Sequence, residues 1–521
     1  MLSSLPLSLL FSALFQFQKV SASGASYTVS IPPAAPTNAI EVPADFFGFG
    51  YETAFLPHFD NAFSENMVNA IGSRMSKPLI IRIGGTSGDL VKVDLEQKEP
   101  AICVKGPSCP LSSQDTFTLG KAYFEVFKKF PNASMTIQAP MGDGMEMNNT
   151  MAYVRNAWQN LGHDRVAAIA LGNEPNYYSW NAEEYVRHAL EVESNITKEF
   201  NLQGEEARIF ELGDIANDAA VSGNKYDITQ VFDDHIDQNS QGKFAAEHYY
   251  QLNKNLAVYN EANLQQHVMN HTAILEHLAS YEKSMQAVHQ HHANLSFVLS
   301  EVGSVIGGGP TNFSGGFGAA IWAADFHLAA MARGIKRVSN TQRPEASHAF
   351  WIPDNSGPKT GRPVVQGIFP AAPFVADFVG KDASLGKVVE LGVNGQGLFT
   401  AYAMYGLHSE KIERVALVNL QQWDASSKTT RGNKTVTLSV GNGVKSAVIR
   451  RLHADQGWSA LGYDLGGAQE NVTWAGEQWT YAVDQGMGHF PTGSMEQESV
   501  AVNGTVKVSV PDTEAVIVFF E

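Results

Sequence analysis

Cysteine is almost absent from this chain: there are 2 in 521 residues, Cys103 and Cys109. They can staple one small loop in an oxidising compartment but cannot carry a fold. No zinc-type His/Cys spacing and no phosphate-cradling glycine loop is present, and the triple glycine at 307–309 does not follow the dinucleotide-binding pattern. No metal or organic cofactor is therefore expected. Positive charge is also scarce. Lys+Arg total 36 against 53 Asp+Glu, a formal net charge of −17, which argues against nucleic acid or an anionic membrane as partner. Nothing implies an obligate protein partner. After the N-terminus no apolar run reaches the roughly 18 residues that cross a bilayer. The C-terminal VIVFFE lacks the spacer and tail of a lipid anchor. The mature chain reads as soluble, with no low-complexity linker and no repeat of 20–50 residues beyond a strand–helix alternation.

What is present is an ordinary globular composition, 44% hydrophobic, 10% aromatic and 17% charged, at a length that favours two packing units. Residues 1–18, MLSSLPLSLLFSALFQFQ, form a short, interrupted apolar stretch followed by Val20-Ser21-Ala22. That pattern fits a secretory leader over 1–22. Nine Asn-X-Ser/Thr sequons (Asn132, Asn148, Asn195, Asn270, Asn294, Asn312, Asn433, Asn471 and Asn503) agree with a secreted, extracellular glycoprotein.

Short apolar runs alternate with helical spacing between residues 45 and 385. The strand candidates are 46–53, 78–85, 134–142, 166–176, 207–214, 243–251, 295–303 and SHAFWIP at 347–353. Between them, segments such as EEYVRHALEVESNITKEF carry apolar residues at intervals of three and four. Eight near-continuous apolar strands separated by helices predict an α/β fold, a parallel (β/α)8 TIM barrel. From 386 to 521 the texture changes to short alternating strands broken by Gly, Asn and Asp, which predicts an antiparallel β-sandwich domain. The segment 23–44, with SYTVSIP, is expected to add a strand to that sandwich.

Working groups of such a barrel sit at the C-terminal ends of its strands. Strand 4 ends in Asn173 and Glu174, and strand 7 ends in Glu301. A carboxylate directly after five or six buried residues is costly unless it meets solvent, a partner or a substrate. Two of them across one barrel mouth are the equipment of a glycosidase: one protonates the leaving oxygen, the other attacks the anomeric carbon or activates water. The expected roles are Glu174 as acid/base and Glu301 as the ionised nucleophile. Inactive sugar binding on the same barrel is the non-enzymatic alternative.

Asn173-Glu174-Pro on strand 4, RIGGTSGD at 82–89, HYY at 248–250 and EVGSVIGGGP at 301–310 resemble, in order and spacing, glycoside hydrolase family 79. That is the β-glucuronidase and heparanase family, with its secreted fungal-type members. The resemblance implies a carbohydrate substrate bearing glucuronic acid or its 4-O-methyl ether, cleaved with retention; action at chain ends is expected because no obvious excised linker lies between strands 2 and 3. A heparanase-like endo-enzyme and a neutral-sugar enzyme of the same clan stand as alternatives. It assigns Glu174 and Glu301 the two catalytic roles, Asn173 to the sugar 2-hydroxyl, Glu52 and Thr86 to other hydroxyls, and the amides of Gly307 and Gly308 to the carboxylate. Glycine suits that last task because its backbone can gather N–H donors into an anion-binding nest. A strand 6 tyrosine would bond the nucleophile, and strand alternation favours Tyr249 over Tyr250. Arg82 is read as orienting carboxylates from below, Asp89 as a helix cap, and Trp351 as either a sugar platform or a core aromatic. The family's tyrosine after strand 8 has no counterpart, because none occurs between Trp351 and residue 390.

Overall fold

The computed structural model describes residues 25–106, 112–217, 225–252, 259–355, 361–381, 386–393, 397–441, 443–463 and 470–521. The leader read over 1–22 and Cys109 lie outside them; Cys103 is disulfide-bonded. Eight strands close a barrel in sequential order: β1 (Phe47–Glu52), β2 (Leu79–Gly84), β3 (Ala133–Ala139), β4 (Val166–Leu171), β5 (Phe210–Ala216), β6 (Gly242–Leu252), β7 (Ser296–Val305) and β8 (Arg337–Gln342). Every neighbouring pair is parallel. A small sheet of Val91–Val93, Ala101–Cys103 and Phe117–Leu119 is inserted between β2 and β3.

The eighth strand corrects the sequence expectation. SHAFWIP is not in the barrel; only Trp351–Ile352 within it is strand, paired antiparallel with Val364–Val365. The true β8 reads RVSNTQ, all six residues buried, and Val338 alone among them is apolar. Asn340 donates to the Gly48 carbonyl (3.1 Å) and meets the His327 ring, while Gln342 binds Trp351 and Phe350 backbone. A search for apolar runs cannot see a strand whose buried side chains are satisfied by hydrogen bonds.

Helices α1 (Ala182–Glu199), α2 (His271–His291) and α3 (Phe317–Ala332) belong to the outer ring. α1 starts in a capping box between Asn181 and Glu184 and buries the stripe Tyr185, Ala189, Val192 and Ile196. α3 is apolar on every side and almost wholly buried, because it lies between the barrel and the second domain.

That domain contains β9 (Gly386–Leu391), β10 (Phe399–Gly406), β11 (Ile412–Asn419), β12 (Asn433–Ser439), β13 (Ser446–Ala454), β14 (Thr505–Pro511) and β15 (Glu514–Phe520). Strand Ile40–Val42 joins β9, β10, β11, β15 and β13 in the larger sheet, and Ala25–Ser30 joins β12 and β14 in the smaller. Phe399, Ala401, Ala403 and Tyr405 of β10 pack against Val436, Leu438 and Val508 of the small sheet. Their alternates Tyr402 and Met404 pack towards the barrel. Both faces of the larger sheet are thus covered.

One polar knot ties this junction. Asp325 of α3 accepts from Thr400 Oγ1 and Tyr402 Oη at 2.7 Å each, and meets His271 Nδ1 at 2.9 Å. His271 Nε2 lies 3.0 Å from Glu390, which also binds Arg333 at 3.1 Å. Burial acts to lower the His271 pKa, but Asp325 and Glu390 outweigh it and lift it to about 10. A raised histidine pKa adds stability in full below the unfolded value of about 6.5 and loses it as pH climbs towards 10. His271→Ala is expected to cost about 3 kcal/mol and to flatten the pH dependence of the denaturation midpoint across that window. Parallel curves for variant and parent would refute the ion-pair account.

Candidate active site

A cavity of about 680 Å³ opens at the C-terminal ends of the barrel strands, within the usual range for small-molecule sites. It brings together Glu52 from the end of β1, Thr86 after β2, Asn173 and Glu174 after β4, Glu301 on β7 and Gly307 after β7. Thr86 is half-buried in the wall.

The turn that presents Glu174 is unusual. Gly172 has φ +84°, and Glu174 itself has φ 45°, a left-handed conformation that costs a non-glycine residue about 1–2 kcal/mol. Asp214 at the end of β5 is left-handed too, at φ 48°, and the Glu174 N–H donates to the Asp214 carbonyl at 2.9 Å. The preceding Asn173 N–H donates to Asp89 Oδ2 at 3.1 Å and contacts the Tyr178 hydroxyl at 3.0 Å. Tyr178 in turn donates to Asp89. Asp89 therefore does not serve as a helix cap; it fixes the backbone from which Asn173 and Glu174 project. Burial lifts its pKa to about 6 despite donors from Tyr178, Met141, Gln138 and Asn173.

On β7 a bulge aims the second carboxylate. Glu247↔Leu299 is followed by His248↔Glu301 on one side, and Leu299↔Val338 by Val302↔Asn340 on the other. The extra residue breaks the alternation at Ser300–Glu301 between the core-packed Leu299 and Val302.

Glu301 sits in a shell of donors. Tyr250 Oη donates to Oε1, and Arg82 Nη1 donates to Oε2 at 3.2 Å. Burial acts to raise its pKa, but His248, Arg82, Tyr250 and Arg343 outweigh it and hold the carboxyl below its ordinary range. Glu174 keeps one such contact, to His248 Nδ1. That nitrogen lies 3.1 Å from Glu174 Oε1 and 3.9 Å from Glu301 Oε2, so those two oxygens are no more than about 7 Å apart. On its other side His248 Nε2 is 3.5 Å from Asp214. Burial works against charging His248, yet Glu301, Asp214 and Glu174 lift its pKa to about 10, so the ring is an imidazolium at neutral pH.

Arg82, 1% exposed, lies beneath. Its Nη2 donates to Asn173 Oδ1 at 2.8 Å and to Asp214 Oδ1 at 2.9 Å. Occupying Oδ1 leaves the Asn173 amide N–H₂ as the group available to a ligand. Glu52 accepts from the Ser87 N–H at 3.1 Å and from its hydroxyl, and burial above all raises its pKa. It lies so close over Gly85 (φ +87°) that a Cβ there would stand 2.6 Å from the carboxyl carbon.

Two expectations are corrected here, and one alternative left open is decided. Tyr249 does not reach the site: it is fully buried on the outer side of β6 against His277, Tyr281 and Phe326, and bonds Gln251. The inward residues of β6 are Phe244, under the Arg337 guanidinium, His248 and Tyr250, so Tyr250 rather than Tyr249 bonds Glu301. Gly308 cannot offer its amide, because that N–H closes a turn onto the Val305 carbonyl at 3.1 Å; Gly307 remains in the wall. Trp351 is fully buried against Phe49, Tyr51, Phe59 and Phe369, and its ring N–H donates to Ser64. It is core.

Sequence reasoning passed over His248, Asp214 and Arg343. Asp214 lies near the end of a fully buried strand, as the two glutamates do, but its run FEL is interrupted by Glu211. His248 shares its parity with Tyr250. Arg343 follows β8, the strand that was not recognised. Among the described residues no group of three His, Cys, Asp or Glu side chains is placed to hold a metal ion, and no helix is long and apolar enough to cross a membrane.

Comparison with known proteins agrees with this architecture. Residues 401–517 match the model of the glycosyl hydrolase family 79 C-terminal beta domain. A β-glucuronidase of Neurospora crassa is 25% identical over 514 aligned residues, covering 88% of each chain. One of Aspergillus niger is 23% identical, covering 96% of this chain and 94% of its own. Among solved structures, a 4-O-α-L-rhamnosyl-β-D-glucuronidase from Fusarium oxysporum 12S superposes with a TM-score of 0.77 at 21% identity, over 94% of this chain and all of that one. A family 51 α-L-arabinofuranosidase from Bifidobacterium longum reaches 0.63 at 12% identity, over 96% of this chain and 100% of its own. The C-terminal domain thus resembles that of glycoside hydrolase family 79, and along most of its length the chain is similar to fungal β-glucuronidases.

Proposed function

We propose that the protein is a glycoside hydrolase acting on β-glucuronides: a secreted, retaining β-glucuronidase that removes terminal glucuronic acid, or its 4-O-methyl ether, from glycans or glycoconjugates. The observation that carries this reading is the asymmetry of two carboxylates sharing one imidazolium. Glu301 accepts from Tyr250 and Arg82 and lies 3.9 Å from the shared imidazolium, whereas among the described residues Glu174 has the His248 contact alone and a partly exposed side chain. The β-glucuronidase relatives and the rhamnosyl-glucuronidase fold support the substrate class.

In the first step Glu301 attacks the anomeric carbon as the glycosidic bond breaks, and Glu174 gives its proton to the departing oxygen. In the second, Glu174 takes a proton from water, the hydroxide replaces Glu301, and both side chains return to their starting states. Asn173 would meet the 2-hydroxyl, where hydrogen bonds strengthen as the ring nears the oxocarbenium-like transition state. Glu52 and Thr86 would take other hydroxyls. Arg82, Asp214 and His248 act as positioning residues for the two glutamates.

Proton NMR during early hydrolysis of an aryl β-glucuronide tests the reading. β-Glucuronic acid should appear first and mutarotate later; α-anomer first would overturn the retaining mechanism. Tyr250→Phe removes a donor that helps to keep Glu301 ionised, so the Glu301 pKa should rise. The acid limb of kcat/KM should move to higher pH, with kcat lower by about 10- to 100-fold. An unmoved acid limb would count against Glu301 as nucleophile.

The division into a catalytic barrel over 45–385 and a sandwich over 386–521 is part of the same proposal, supported by the strand pairings. Secretion rests on the leader pattern and on the sequons, of which all but Asn195 and Asn270 carry exposed asparagines. Exo action rests on the stretch between β2 and β3, which offers no obvious excised linker.

A further inference from the structure

We infer that Arg343 binds the carboxylate of the substrate and so sets the preference for a uronic acid; this deepens the glucuronidase reading and rests on it. The cavity is lined by five acids, Glu52, Asp89, Asp143, Glu174 and Glu301. A hexuronate would bring a further negative charge into that field, and without a cation its carboxylate would be repelled. Among the described residues of the lining, Arg343 is the only lysine or arginine. Neither His348 nor His248 substitutes for it. Burial pushes His348 down to about 4, leaving it neutral, and His248 is committed between Glu174, Glu301 and Asp214.

The guanidinium is placed and held. Arg343 directly follows β8, at the C-terminal mouth. Its Nη2 binds Glu345 at 3.2 Å, its Cζ lies 5.8 Å from the Phe55 ring centroid, and the side chain is 18% exposed. One edge is braced by an acid and the plane is near a ring, the arrangement that suits arginine, rather than lysine, to a planar carboxylate. The loop after β7 abuts the loop after β8: a Cβ on Gly308 would lie 3.4 Å from Ala346 and from the Ser347 nitrogen. On that shared wall Gly307, at φ +76° with open space where a Cβ would stand, exposes backbone to the cavity. A guanidinium with a neighbouring peptide edge can meet a planar carboxylate with two sets of N–H donors.

The test is kcat/KM for the parent, Arg343→Gln and Arg343→Lys on 4-nitrophenyl β-D-glucuronide and on its methyl ester, which has the same ring without the charge. Arg343→Gln should lower the value for the acid by about 100-fold while changing that for the ester by less than about threefold. Arg343→Lys should recover part of the loss, and inhibition by D-glucuronate should weaken in step. An equal fall on both substrates would overturn the inference, because it would mean that Arg343 only supports Glu52 and Glu301. An unchanged rate on the acid would overturn it too. A parent enzyme inactive on acid and ester alike would overturn the glucuronidase reading and this inference with it, which separates the two failures.

Discussion

Glu301→Ala is expected to abolish turnover, lowering kcat on an aryl β-glucuronide by about four to six orders of magnitude. The deletion removes the attacking oxygen, and nothing nearby replaces it: Tyr250 is a neutral phenol whose pKa burial pushes well above its ordinary value, and Glu52 is engaged with Ser87. Deletion also strips Arg82 and His248 of a counter-charge and leaves Asp214 as their nearest buried anion. Glu301→Gln, which keeps the shape, separates chemistry from folding. A 2-deoxy-2-fluoro-glucuronosyl fluoride should label the parent on the peptide containing Glu301 and leave the glutamine variant unlabelled by mass spectrometry. Label on any other residue, or residual activity above about 1% of the parent, would remove Glu301 from its role.

Glu174→Ala should depend on the leaving group. For an alkyl or phenyl glucuronide, whose oxygen needs a proton to depart, the loss should be about 10²- to 10⁴-fold. For a 2,4-dinitrophenyl glucuronide the first step needs no acid, so the glycosyl-enzyme should accumulate and the rate should be set by the unassisted attack of water. Azide needs no base; it should restore turnover and give the β-glucuronosyl azide. Full activity on the phenyl substrate, or an α-azide product, would show that Glu174 is not the acid/base.

The first seven barrel strands were legible because a parallel strand, covered by helices and filled inside, spells out its burial in apolar residues. The eighth was not, because β8 satisfies Asn340 and Gln342 through hydrogen bonds rather than through packing. Glu174 and Glu301 could be read because each closes an apolar run. Strand alternation pointed to Tyr249 because adjacent residues differ only in parity and one residue of register reverses the choice; His248 and Tyr250 share the cavity-facing parity. Gly307 and Gly308 look alike in sequence, yet a single turn bond to Val305 consumes one amide and spares the other. The imidazolium at His248 was hidden for another reason. Its charge belongs to no local motif; it arises where acids from β4, β5 and β7 converge on a residue of β6.

The doubly covered sheet of the second domain bears on how such a protein changes over generations. An exchange of either half for a distant cousin's would present Tyr402 and Met404 to a stranger's helix and leave His271 facing Asp325 without Glu390, or the reverse. The two halves are in effect one heritable unit, and drift in α3 must be answered by compensating drift in β9 and β10.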